Sequence, residues 1–174
     1  MMFAPKVVLL VAALGLAACK SPDRYGQGGV DGPGGVGGTG IDTTGLGDPN
    51  NPASIAYFNQ SVGDRVLFQV DQSTLTPEAR TVLAGQAQWL MTNAGYAAII
   101  EGHADEQGTR EYNLALGARR AAAVQNFLIS QGVPANRMRT VSYGKERPIE
   151  VCSTEECYSK NRRAVTVLSA GAGV

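Results

Sequence analysis

An arginine inside an apolar helical stripe, shortly after a carboxylate at a strand end, restricts the folds open to this chain more than any other feature. The run Glu101-Gly102-His103-Ala104-Asp105-Glu106-Gln107-Gly108 reads as the end of a strand and a loop, and Asn113 through Ala121 lies in the helix that follows. At about 100° per residue, Tyr112, Leu116, Ala123, Val124 and Phe127 share one side of a helix from Glu111 to Gln131. Arg120 falls near the middle of that side and Arg119 about 100° away, so the adjacent arginines are not equivalent. A buried charge is costly unless something pairs with it. Arg120 can snorkel its stem over apolar surface, pair internally with Asp105, or share with Asp105 a ligand that bears both charges. The residues alone leave the three open.

Strand and helix signals alternate around this pair. Arg65 to Val70 reads as a strand, and Thr76-Pro77-Glu78 opens a helix with Thr76 as N-cap and Pro77 at the first helical position. Ala79, Leu83, Ala87 and Leu90 form its buried row, and Asn93-Ala94-Gly95 ends it. Tyr96 to His103 is the next strand. After the Arg120 helix, Val133-Pro134-Ala135-Asn136 is a turn, Met138 to Gly144 a third strand and Arg163 to Leu168 a fourth. Strands separated by helices predict a mixed sheet with helices on one face, an α/β two-layer sandwich of order βαβαββ and about 110 residues.

The N-terminal third reads as an address and a tether. Lys6 precedes an apolar core from Val7 to Leu16, which is too short to span a bilayer as a mature helix. It ends in Leu16-Ala17-Ala18-Cys19, a small-residue cleavage site, so residues 1–18 are expected to be a signal peptide. This ending resembles a bacterial lipobox, which implies that Cys19 becomes the lipidated first residue. Lys20 in place of an aspartate favours, by the same analogy, the outer membrane over the inner. Residues 19–61 then form a flexible, disordered Gly-rich linker, with a coil reach of roughly 35 Å. Gly34 to Gly40 does not qualify as a dinucleotide fingerprint, because neither strand nor helix frames it. The packed domain is expected over residues 62–170.

Export leaves Cys152 and Cys157, spaced C-x4-C, in an oxidising compartment, where a local disulfide is the natural reading. Zinc is the rival, but a structural site usually wants four ligands, and the chain has a single histidine, His103. The 15 basic and 15 acidic residues cancel, and the pairs Arg119-Arg120 and Arg162-Arg163 are too short to track a phosphate backbone, so nucleic acid is excluded as a partner. A wall hydrolase using Asp105, Glu106 and His103 remains a competing reading, although no hydrolase or zinc-protease motif supports it. The residues point to no cofactor, no metal and no catalytic group.

Five stretches together resemble the OmpA-like peptidoglycan-binding domain: Val66 to Asp71, Glu101 to Gly108, Asn113 to Ala121 with Val124, Val141 to Pro148, and Tyr158 to Val165. They occur in that family's order and cover nearly all of residues 62–169. The lipobox and tether resemble its lipoprotein branch, part of the Tol-Pal system, rather than a porin with this domain appended. The resemblance implies a site for the diaminopimelate residue of the peptidoglycan stem peptide. In that site Asp105 would receive the ligand's ammonium and Arg120 its carboxylate. Asn113 would add a hydrogen bond, Leu116 an apolar wall, and Asp71 with Arg162 or Arg163 would close the rim. It also implies TolB and other Tol proteins as partners, and a role in holding the outer membrane to the wall during constriction. Ala118, where many relatives carry an acidic residue, and the cysteine loop depart from the family pattern. A structural lipoprotein in which Asp105 and Arg120 pair with each other, and only protein partners matter, is the alternative.

Overall fold

The computed structural model describes residues 45–171. The expected signal peptide, Cys19 and the linker as far as residue 44 lie outside them.

Thr76 caps α2 (Pro77–Thr92), accepting a hydrogen bond from the Ala79 N–H at 3.2 Å, and Pro77 takes the first helical turn. The expected row Ala79, Leu83, Ala87 and Leu90 is buried, joined by Gln86 and Trp89. The chain then forms β2 (Tyr96–His103), α3 (Arg110–Ser130), β3 (Met138–Gly144), the short α4 (Glu155–Asn161) and β4 (Arg163–Ala170). With β1 (Arg65–Leu67) the strands make one mixed sheet in the order β1-β4-β2-β3. β4 runs antiparallel to β1 and β2, and β2 runs parallel to β3. Val66, Ala98, Ile100, Ala164 and Leu168 meet Leu83, Leu90, Val124 and Leu128 in one apolar core. Ala98 and Ile100 on β2, and Ala164 and Leu168 on β4, lie on the one sheet face that meets this core, as the strand period of two requires.

β1 is shorter than the expected 65–70. Its partner β4 begins at Arg163, opposite Leu67, so the ladder runs out. The Phe68 N–H donates to Arg162 O at 2.9 Å, and the chain then leaves the sheet for Asp71, whose φ of 57° is rare outside glycine.

The packed domain also begins earlier than residue 62. Ile55–Tyr57 forms a single helical turn, α1, which runs into a π-helical stretch over Phe58–Gly63. Phe58 is fully buried against Trp89, with ring centroids 4.9 Å apart. The Trp89 indole donates to Pro52 O at 2.7 Å and the Tyr96 hydroxyl to Ala53 O at 2.7 Å. Residues 45–61, expected as the end of the linker, are therefore folded onto α2 and β2.

In α3 the buried residues are Asn113, Leu116, Gly117, Arg120, Ala121, Val124 and Leu128. The stripe is rotated from the expected one, leaving Tyr112 exposed. Gly117 sets the rotation: it lies so close to Gly102 of β2 that a Cβ on Gly102 would overlap the Gly117 carbonyl. A backbone approach of that kind is open only to glycine.

Candidate functional site

Arg120 is the largest of the fully buried side chains, and main-chain oxygens satisfy it. Its Nε donates to Gln72 O at 2.8 Å, Nη1 to His103 O at 2.7 Å and Nη2 to Gln69 O at 3.1 Å, while its guanidinium lies 5.2 Å from the centre of the Phe68 ring. Burial pulls its pKa down to about 10, opposed by the nearby Asp105, so it remains charged at neutral pH. One side chain thus staples the loop after β1 to the end of β2.

Those two segments carry the acids. Asp71, from the first, and Asp105, from the second, face a cleft of about 250 Å³ that is also lined by Val70, Gln107, Gly108, Tyr112, Asn113 and Leu116. The Asn113 amide donates to Gln107 O at 2.7 Å, and the Gln107 N–H donates to Asp105 Oδ1 at 3.2 Å, so the helix and the loop fix each other. Lys145 secures the same loop, donating to the carbonyls of Glu106 and Gly108 at 3.2 and 2.7 Å. The Tyr112 hydroxyl donates to Asp71, and that bond holds the phenol's proton above its ordinary range.

Of the seven side chains expected at the site, Asp71, Asp105, Asn113 and Leu116 line the cleft. Arg120 lies behind it, within electrostatic reach of both acids but with no surface of its own. The direct partner of Asp105 is not Arg120 but Arg162, whose Nη1 lies 3.2 Å from Asp105 Oδ2. Arg162 is buried, also donates to Phe68 O at 3.2 Å, and is paired with Glu155. Burial works against its charge, but the hydrogen bonds it donates to Glu155 and Asp105 outweigh it and raise its proton affinity. Arg163 is not brought to the cleft. As the first residue of β4 it donates to Asn161 O and Arg147 O, next to the end of β2. Val70, Gln107, Gly108 and Tyr112 line the cleft without being among the expected site residues. Gln107 and Gly108 lie inside the run 101–108, whereas helical spacing places Tyr112 in the apolar stripe, where it carries no separate signal.

The three groups of the competing hydrolase reading do not converge. His103 is buried, its ring 5.5 Å from that of Tyr143, and burial first, then Arg163 and Arg147, pushes its pKa down to about 4. Glu106 is exposed, its carboxylate taking hydrogen bonds from Ser153 and Tyr158. Neither lines the cleft with Asp105. Cys152 and Cys157 are joined as a disulfide with Cα atoms 5.8 Å apart.

A model described as the OmpA family matches residues 67–162. The chain is 50% identical over 174 residues to the peptidoglycan-associated lipoprotein of Agrobacterium fabrum, covering 98% of this chain and 90% of that protein. It is 48% identical over 172 residues to the peptidoglycan-associated lipoprotein of Mesorhizobium japonicum, covering 97% and 94%. The crystal structure of the peptidoglycan-associated lipoprotein from Burkholderia pseudomallei matches with a TM-score of 0.62 at 36% identity, over 70% of this chain and 100% of that one.

Proposed function

The chain belongs to the OmpA family, and on that footing we propose that it is an outer-membrane lipoprotein that binds peptidoglycan without chemistry. Lipid on Cys19 would anchor it, with the domain facing the periplasm. The ligand would be the diaminopimelate residue of the stem peptide. The observation that carries this reading is the cleft between Asp71 and Asp105, built over the Arg120 guanidinium. Its volume of about 250 Å³ is below the ~300–1,000 Å³ of pockets for drug-sized ligands, and suits the end of one amino-acid side chain.

Diaminopimelate ends in an amino-carboxyl centre. Its ammonium finds two carboxylates in the cleft, and its carboxylate finds the positive potential of Arg120 under the floor and Arg162 beside Asp105. Arg120 works here by holding both acid-bearing segments in place and by its charge, since three of its N–H groups are already donated to the main chain. A lysine-type stem peptide keeps the ammonium but lacks the carboxylate, and sites built around polar groups reject analogues that lack them. By likeness to its relatives the chain would act in the Tol-Pal system, with TolB and other Tol proteins as partners, supporting envelope integrity and constriction.

The internal pairing of Asp105 with Arg162 favours one second reading, a structural lipoprotein that acts only through protein partners. Co-sedimentation of the full-length protein with insoluble cell wall separates the two. Asp105→Asn is expected to weaken retention by about tenfold or more, the worth of a hydrogen bond to a charged group. Equal retention of the two proteins would overturn the wall-binding reading in favour of the second.

A further inference from the structure

The disulfide loop has contacts that a simple surface staple does not need. Cys157 is buried and Cys152 exposed, so the bridge fastens the loop before α4 to the first turn of that helix. From this closed loop, Ser153 Oγ donates to Glu106 Oε1 at 2.7 Å, and from the next turn Tyr158 donates to the same oxygen at 2.8 Å. Both bonds press the loop against the segment that bears Asp105. Between the two cysteines lies Glu155, paired with the Nη2 of Arg162. The Nη1 of that guanidinium is shared, 3.2 Å from Asp105 Oδ2 and 3.4 Å from Glu155 Oε2.

Two carboxylates therefore compete for one buried cation. A buried guanidinium keeps a counter-charge. With Glu155 in place, that requirement is met from outside the cleft, and Asp105 retains charge to offer a ligand's ammonium. Without it, Arg162 would draw on Asp105 alone and neutralise it. We propose that the loop closed by Cys152 and Cys157 braces the binding site from outside the cleft, with Glu155 a positioning residue that keeps Asp105 available to a cationic ligand. This rests on the reading of the cleft as the stem-peptide site.

The test is calorimetric titration of the full-length protein with a soluble diaminopimelate-containing stem peptide, comparing wild type with Glu155→Gln, Glu155→Asp and the double variant Cys152→Ser, Cys157→Ser. Glu155 is largely exposed, so its replacement leaves the core intact. Glu155→Gln is expected to raise Kd about two- to fivefold, the range of an exposed ion pair, and the double cysteine variant to raise it likewise. Glu155→Asp, which keeps the charge, should stay near wild type. A role in packing alone would make Asp as harmful as Gln, and that result overturns the proposal, as does wild-type affinity in both Glu155→Gln and the cysteine variant. Wild-type protein that fails to bind the peptide at all overturns the cleft reading itself.

Discussion

At Arg120, three main-chain oxygens from two segments converge on one guanidinium, so replacing it acts first on stability. Arg120→Met leaves those carbonyls without donors and is expected to cost about 3 kcal/mol or more, read as a lower urea midpoint. Arg120→Lys recovers only part, because an ammonium cannot span the three acceptors in one plane. His103 supplies a pH dependence. Its folded pKa of about 4 lies below its ordinary value of 6.5, so between those values the unfolded chain binds more protons. Stability is then full above pH 6.5 and falls as pH drops towards 4, by about 3 kcal/mol at most. Unfolding midpoints measured across that window should flatten in His103→Phe. The place of Arg120 in a buried stripe was legible from helical spacing, and Asp105 from its motif. The partner of Asp105 was not, because Arg162 is 57 residues away in sequence and nothing local distinguishes it from Arg163. Which of two neighbours enters a site depends on where the strand starts.

Among the elements, β2 and α3 pack backbone to backbone where Gly102 faces Gly117. Gly102→Ala places a methyl group on a carbonyl that cannot move without the helix. A loss of about 3 kcal/mol or more is expected, beyond ordinary overpacking, with thermal unfolding as the measure. The shift would also displace Asn113 and Leu116, both on α3, from the cleft. Helix α2 was fully legible because cap, proline and buried row agree with one another, and β2 because Asn93-Ala94-Gly95 sets off a short apolar run of strand length. β1 was overextended, since Phe68, Gln69 and Val70 have strand composition and only the length of the partner strand ends the ladder. The rotation of α3 was hidden for a related reason: a wheel ranks side chains by hydrophobicity, whereas glycine contact decides which face approaches the sheet.

For the molecule as a whole, the folded region reaches back beyond residue 62. A chain starting at residue 62 would lack Phe58 and the carbonyl partners of Trp89 and Tyr96. It is expected to be about 3–5 kcal/mol less stable than one starting at residue 45, which comparison of denaturant midpoints would check. Composition concealed this segment, because its proline, serine and alanine residues resemble a linker and a π-helical turn has no periodic signature. What orders it is supplied by side chains 37 and 43 residues downstream.

The ordered N-terminal segment meets the start of β2, through Tyr96, while Asp105 lies just beyond its end, about 25 Å away along an eight-residue strand. A pull between the N-terminal side and a ligand held in the cleft would be directed along the strands. Because both points lie at the ends of one strand, the load passes along the covalent backbone of β2, and the ladder bonds, which lie across that direction, are not peeled one by one.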